Sequence, residues 1–461
     1  MAWRARPRHA RGLLPPVVAL LLATSLASSA LAADPSPAGA GASPVAVVRV
    51  PQDATLEAAI DRSTPGTLIL LDRGTYPGGI LVPEDRGGIT IRGVDRNDVV
   101  FDGQDTRVNA IEILADDVVL ENMTAHNYTL NGFYWEGVDG FAGRYLTVWN
   151  VGLYGIYAIE SRNGIFEQSL VSGAADAAFY VGECNPCDTV VSDVIARDSA
   201  IGYSGTNAGG NLEIRDSLWE RNGTAIMPNS FEGQPAPPPQ RSSRITGNTI
   251  RDSGSVPVPA NSPLAGYVGM GIAIAGGTEN EIEDNEVTGS ATYGIALYPS
   301  IQRDGSAIQP IDNIVRGNTV SQSGRADLAV AAGSAEANCF VDNDFTTSQP
   351  ADIEVVLGCD TTPSSTGDDD VASVLAIPIP EALDRLGPRP DYTAMAPPDA
   401  QPTMPPDATT GIPGAGTGDA AEGPSSGATV AAIVAVALVA SGIVAAVIVL
   451  RRRRRAPAEP R

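Results

Sequence analysis

Tyrosines recur at a fixed interval along this chain, with carboxylates beside them. Tyr134, Tyr157, Tyr180 and Tyr203 stand 23 residues apart, and Glu160 and Glu183 each follow their tyrosine by three. Asp176 precedes Tyr180 in a run of small apolar residues, and Trp135 and Glu136 directly follow Tyr134. Exposed aromatic rings tipped with a hydroxyl suit sugar rings, so Tyr134, Tyr157, Tyr180, Tyr203 and Trp135 are the candidate substrate-binding residues. Two carboxylates held close together push one pKa up, leaving an acid beside a base or nucleophile, which is the pair that glycosidic bonds need. Asp176, Glu160 and Glu183 are therefore candidate catalytic groups; the same oxygens could instead gather round Ca2+. His126, the one histidine beyond residue 33, is a further candidate, together with Arg144 and Arg162.

The four cysteines fall into two pairs. Cys184 and Cys187 have the spacing of redox and metal motifs, but no βαβ context surrounds them and no two further zinc ligands are evident. Outside the cell a disulfide is the expectation. Cys339 and Cys359 are 20 residues apart, about one repeat, and a bridge there would clamp the last repeat.

The elements that position these groups must share their period. Val148, Val171 and Val194 also stand 23 apart, and Gly271-Ile272-Ala273-Ile274 returns as Gly294-Ile295-Ala296-Leu297 after 23 residues. A second unit, apolar-x-x-Asn-x-apolar, recurs around Asn248, Asn285, Asn318 and Asn343. The runs are short, β-branched and broken by Gly and Asn, and the leucine pattern of leucine-rich repeats is absent. One period then makes one coil of a parallel β-helix with three strands per turn, stacked at about 4.8 Å. On that reading the tyrosines form an outward column about 15 Å long. The asparagines sit at corners, tolerate left-handed backbone and hydrogen-bond their copies above and below. Segments 233–239 and 255–264 interrupt the period and read as loops that shape a groove.

These residues resemble the right-handed parallel β-helix superfamily, the pectate-lyase-like and NosD-like proteins. The entry segment carries the resemblance: Leu56-Glu57-Ala58-Ala59-Ile60, then Pro65-Gly66, Leu68-Ile69-Leu70-Leu71 and Gly74-Thr75-Tyr76. Tyr154-Gly155-Ile156-Tyr157 and 173–182 resemble an exported family of that fold. The resemblance covers roughly residues 47–359. It implies an all-β solenoid whose first coil is capped by a short helix, and it leaves open lyase, hydrolase, epimerase or plain binder. Lyases of the fold often use Arg or Lys with Ca2+-binding aspartates. This chain has no Lys, and no local motif places those roles on its residues.

Composition bounds the setting. The formal charge is −24, although ten arginines crowd the two ends, so the part between them is more acidic still. Such a surface repels polyanions, which disfavours nucleic acid and makes a polyuronate a poor substrate unless Ca2+ bridges it. Residues 1–33 read as a signal peptide ending in Ala30-Leu31-Ala32. Residues 34–46 are expected to be disordered, 47–360 to form the β-helix, and 361–427 to form a Pro/Gly/Asp-rich stalk. Within the stalk, 371–386 is more apolar and is the part expected to pack or to bind. Residues 428–450 carry no charge and are long enough to span a membrane, with the arginines of 451–461 in the cytoplasm. The expectation is a cell-surface protein on one C-terminal span, its β-helix outside, facing a polysaccharide or cell-wall glycan. The alternative is a non-catalytic surface or accessory rod that displays loops to a protein partner.

Overall fold

The computed structural model describes residues 46–406 apart from 262 and 386. The expected signal peptide and the 428–450 span lie outside the described residues. Among the described residues no helix is long and apolar enough to cross a membrane.

Short β-branched and aromatic runs form strands that point alternate side chains inward, and each coil places them in three parallel sheets. The first sheet runs from Ala46–Val50 to Cys339–Val341, and the second from Gly74–Tyr76 to Thr319–Ser321. The third sheet has 11 strands, from Ile80–Val82 to Ser348–Gln349. The first two are continuous through the long strands Val118–Tyr128 and Asp139–Val151. Each of these bends at a left-handed residue, Asn122 (φ 60°) and Tyr145 (φ 51°). The helix α1 (Leu56–Asp61) starts at Thr55, whose hydroxyl accepts from the Ala58 N–H, and buries Leu56, Ala59 and Ile60.

Register makes the core. Ile111, Phe133, Ile156 and Phe179 are successive partners in the third sheet, followed by Tyr203, Ile226, Ile272, Ile295 and Leu328. All point inward and are buried. Each contributes about 1.5–3 kcal/mol by leaving water, which one coil alone could not secure.

The recurring asparagines are inside the solenoid. Asn248 Nδ2 donates to Asn285 Oδ1, Asn285 Nδ2 to Asn318 Oδ1, and Asn318 Nδ2 to Asn343 Oδ1, each at 2.9 Å. A parallel ladder joins Asn280, Asn313 and Asn338. The expected copy-to-copy bonding is present, but the left-handed corner residue is the one before each asparagine: Gly247, Asp284, Gly317 and Asp342. The asparagine itself turns inward to satisfy strand-end carbonyls such as Ile245 and Ile282. The last rung is a carboxylate. Glu354, in α2 (Ile353–Val356), accepts from Asn343 N and Nδ2 at 2.8 Å. Both disulfides are formed, and Cys339–Cys359 ties the last first-sheet strand to the segment after α2.

The segment from Thr361, expected as a stalk whose 371–386 piece packs or binds, lies against the solenoid as far as Met404. The helices α3 (Asp369–Leu375) and α4 (Ile379–Asp384) overlap the more apolar piece. Val371, Leu375, Ile377 and Ala382 join one buried cluster with Ala273, Ala296, Tyr298 and Ala329 on the outer face of the third sheet. The chain then passes the Asn150 corner, where Asn150 Nδ2 donates to the carbonyls of Thr393 and Met395. It docks at the corner between the first and second sheets. There Asn122 Oδ1 accepts from Thr403 Oγ1 and Met404 N, both at 2.8 Å, and Asn97 and Gln401 exchange two bonds of 2.9 Å. Arg96, almost wholly buried, donates to the carbonyls of Pro402 and Leu146 and to Thr147 Oγ1. Such a segment cannot build a core of its own; a preformed solenoid surface supplies its partners.

Candidate functional site

The outward column of the third sheet reads Leu81, Glu112, Tyr134, Tyr157, Tyr180, Ser204, Met227, Ala273, Ala296 and Ala329. Three of the four expected tyrosines are therefore stacked on it, and Tyr203 is not. Tyr180 pairs with Ser204 and Phe179 with Tyr203, because the coil that carries the Cys184–Cys187 turn is one residue longer in this sheet. A slip of one residue turns a side chain to the opposite face. Tyr203 thus sits fully buried in the core, its hydroxyl donating to the Val181 carbonyl at 3.1 Å. Trp135, expected to bind substrate, also points inward; its Nε1 donates to the Val118 carbonyl, and its ring packs on Phe141 and Phe166.

The column is less open than its spacing implies. Tyr134 is half-buried, Tyr157 is 9% exposed and Tyr180 5%. Tyr134 stacks on Tyr157 with ring centroids 4.7 Å apart, and Tyr157 meets Tyr180 edge-on at 4.9 Å. Sequence reasoning gave no role to Tyr154, which lies flat on Tyr157 at 4.4 Å and is itself half-buried. Its hydroxyl donates to Asp176, a buried carboxylate, so Asp176 positions the ring that roofs the stack. The signal was there: Tyr154 precedes Tyr157 by three across Gly155. Gly182 completes the packing, since a Cβ there would run into the Tyr180 ring. Burial raises the pKa of Tyr134, Tyr154, Tyr157 and Tyr180 well above the ordinary phenol value, so all four remain neutral donors.

The corner that leaves the third sheet carries the acids. Gly137, Glu160, Glu183 and Asn207 occupy it in successive coils with φ of 68°, 52°, 56° and 49°. Among the described residues most non-glycine positions with such φ are Asn or Asp, which tolerate it best. Glutamate takes it less readily, and among the described residues Glu160, Glu183 and Glu279 do so. Glu160 is exposed. Glu183 is buried; its Oε2 accepts from Ala236 N at 3.0 Å, and Ala236 belongs to the 231–239 loop that Asn207 holds through the carbonyls of Phe231 and Ala236. Burial, and less so the charge of Glu160, pushes the Glu183 carboxyl up to about 8 despite that bond. Burial and Glu136 raise the Glu160 pKa as well. Glu136 accepts from the Tyr134 hydroxyl, and Glu112 from Asn109 Nδ2. The mouth thus joins a neutral acid, an exposed acid one coil away and an aromatic stack.

Other candidates lie elsewhere. His126 is on the outer face of the second sheet, stacked on Trp149 at 4.4 Å, with Nδ1 3.6 Å from Asp102 Oδ1. Burial lowers its pKa. It has no place beside the tyrosines, because the strand Val118–Tyr128 belongs to the first and second sheets. Arg144 is buried on the first sheet between Glu121 and Glu167, and Arg162 pairs with Asp139 at 2.8 Å on the surface. The donor set for Ca2+ is also poor. Among the described residues no three of His, Cys, Asp and Glu gather to hold a metal. Glu183 already spends one oxygen on Ala236 N, whereas Ca2+ takes 6–8 oxygens.

No curated protein matches this chain. Among solved structures it is similar to the A-module of a mannuronan C-5 epimerase of Azotobacter vinelandii, at 15% identity over 62% of this chain and 89% of that one, TM-score 0.44. It is also similar to an alginate lyase from Paenibacillus (14%, 65% and 95%, 0.37). A third is a PL6-family polysaccharide lyase of Pseudopedobacter saltans (14%, 70% and 90%, 0.44). At that level neither substrate nor reaction transfers. Residues 131–300 match the family described as right handed beta helix region, and the chain, with its three parallel sheets, carries a right-handed parallel β-helix.

Proposed function

We propose that this protein binds and hydrolyses a neutral glycan at the third-sheet corner, with Glu183 as proton donor and Glu160 as nucleophile. The observation that carries the reading is the placement of two glutamates in successive coils at left-handed corners, one enclosed and one exposed, beside a tyrosine stack. Strand spacing sets their backbones about 4.8 Å apart. A retaining enzyme needs about 5–5.5 Å between the carboxyl groups, so the assignment predicts a product of retained anomeric configuration. Glu183 would give its proton to the glycosidic oxygen as the C–O bond breaks, while Glu160 bonds the anomeric carbon. Water would then release the sugar from Glu160 and return a proton to Glu183. Tyr134 and Tyr154 would hold the ring. The acids gathered there, Glu112, Glu136, Glu160 and Asp176, argue against a polyuronate.

The test incubates the full chain with neutral and acidic polysaccharides and weighs the products. Fragments with one added water, lost in Glu183→Gln and Glu160→Gln, are expected. Fragments without added water, or none, sink the hydrolase. The near-closure of Tyr157 and Tyr180 favours a second reading, a non-catalytic rod that displays loops to a protein partner. Display at the cell surface is part of the proposal and rests on the uncharged 428–450 segment and its arginine flank. Release of the chain from membranes by high salt alone would refute it.

A further inference from the structure

The outer face of the third sheet changes along its length. Leu81 is 49% exposed, Glu112 and Tyr134 are half-buried, Tyr157 and Tyr180 are 9% and 5% exposed, and Ser204 and Met227 are closed off. Two insertions make the closure, one from each edge of the sheet. From the exit corner, 231–239 folds over Glu183, fixed by Asn207 and by Glu232 N donating to Gln302 Oε1 at 2.9 Å. From the entry corner, the segment after Arg251 reaches back until Asn261 donates to the Ala175 and Gly152 carbonyls. Leu264 and Tyr267 of that segment bury Met227. Behind them stand α3 and α4, with the Tyr267 hydroxyl donating to the Ile377 carbonyl at 2.7 Å.

We propose that this face, open from Leu81 to Tyr134 and closed beyond, takes the ends of glycan chains and not their interiors. The inference rests on the glycan reading above and narrows its substrate class. A chain lying along the column from Leu81 to Tyr134 meets the covered rings of Tyr157 and Tyr180, with the wall at Ser204 behind them, and has no way past. The acid pair stands at that closed end, so the unit it reaches is the terminal one. An internal segment would need both directions open.

The test compares xylan, galactan, mannan and mixed-linkage glucan, each as polymer and as a partial hydrolysate with chains ten times shorter. Binding to the full chain is measured, with Glu160→Gln used so that samples stay intact. A site for ends counts ends: shortening the chains tenfold lowers the mass concentration at half-saturation about tenfold. Half-saturation at equal mass for polymer and hydrolysate overturns the inference and leaves the glycan reading standing. No retention of any of the four, in either form, sinks both. As a second readout, parent protein that cleaves a glycan must release its shortest product from the first time point; a ladder of internal fragments also overturns the inference.

Discussion

Along the coils from Arg241 to Phe345, buried asparagines stack and each rung bonds the next, up to the Glu354 carboxylate that ends the ladder. Along the coils from Asn131 to Thr206, serine hydroxyls take that place: Ser169 and Ser199 accept single backbone bonds, and aromatic rings fill the volume. The first region spends its polar groups on itself. The second leaves carboxylates with spare oxygens on the outer face, one of them held neutral by burial. Both regions solve the same stacking problem, so the residues that differ mark where the molecule does more than stack. The closed ladder reads as scaffold and the open corner as site.

The sharpest way to break that contrast is to cut a rung. Asn285→Ala removes acceptors from Asn248 N and Nδ2 and donors to Asn318 Oδ1 and the Ile245 carbonyl, all buried. Orphaned buried polar groups cost about 1–3 kcal/mol each, so a loss of at least about 3 kcal/mol in urea unfolding is expected, with glycan binding intact in the folded fraction. A loss under 1 kcal/mol would show that the ladder is not the scaffold.

Glu183→Gln tests the other side. Loss of a positioned proton donor lowers turnover about 100-fold or more. Stability should move the opposite way at high pH. The folded-state pKa of about 8 lies above the unfolded value near 4.5, so between those values the folded chain binds the extra proton. Stability contributed by the protonated form is present at low pH and is lost as pH rises from about 4.5 to 8. The variant, which keeps an acceptor for Ala236 N, should lack that slope and unfold at a higher temperature than the parent at pH 9. Equal slopes would mean that Glu183 is not held neutral.

Tyr134→Ala should weaken glycan binding about tenfold and change stability little, since its ring is half-buried and its stack is worth about 0.5–1.5 kcal/mol. Tyr203, one of the same spaced set, is core; its truncation should cost stability and leave binding unchanged in the folded fraction. Matching behaviour of the two would erase the distinction between the column and the core.

These two tyrosines also show what could be read from the sequence. The period, the parallel coils, the Tyr134–Tyr157–Tyr180 column and both cysteine pairs follow from spacing, because stacking converts a constant interval into vertical neighbours. Tyr203 kept the interval while the coil gained two residues at the Cys184–Cys187 turn and lost one before Ile201, and nothing local announces how such changes divide between corners. Tyr154 and the roles of Asp176 and Ala236 depend on loops folding onto a distant coil, which no period encodes. The apolar 371–386 piece announced its packing, but the fate of the rest of 361–406 was hidden for another reason: its composition describes a chain that cannot fold alone, and says nothing about a chain laid on a surface already built.

That laid-down segment gives the smallest test. Thr403 Oγ1 donates to Asn122 Oδ1 at 2.8 Å and accepts from Arg96 N at 3.3 Å, and Met404 beside it is buried. Thr403→Val keeps the shape and deletes the hydroxyl, leaving Arg96 N with no acceptor there. The cost should be about 1 kcal/mol, since Met404 N still donates to Asn122. The change should appear first in hydrogen exchange of 391–404 and not in the core strands, because a strap held at its end opens locally before the solenoid unfolds. Faster exchange at Ile226 or Ile272 instead would mean that the strap is part of the cooperative core, and the line between scaffold and surface attachments would have to be redrawn.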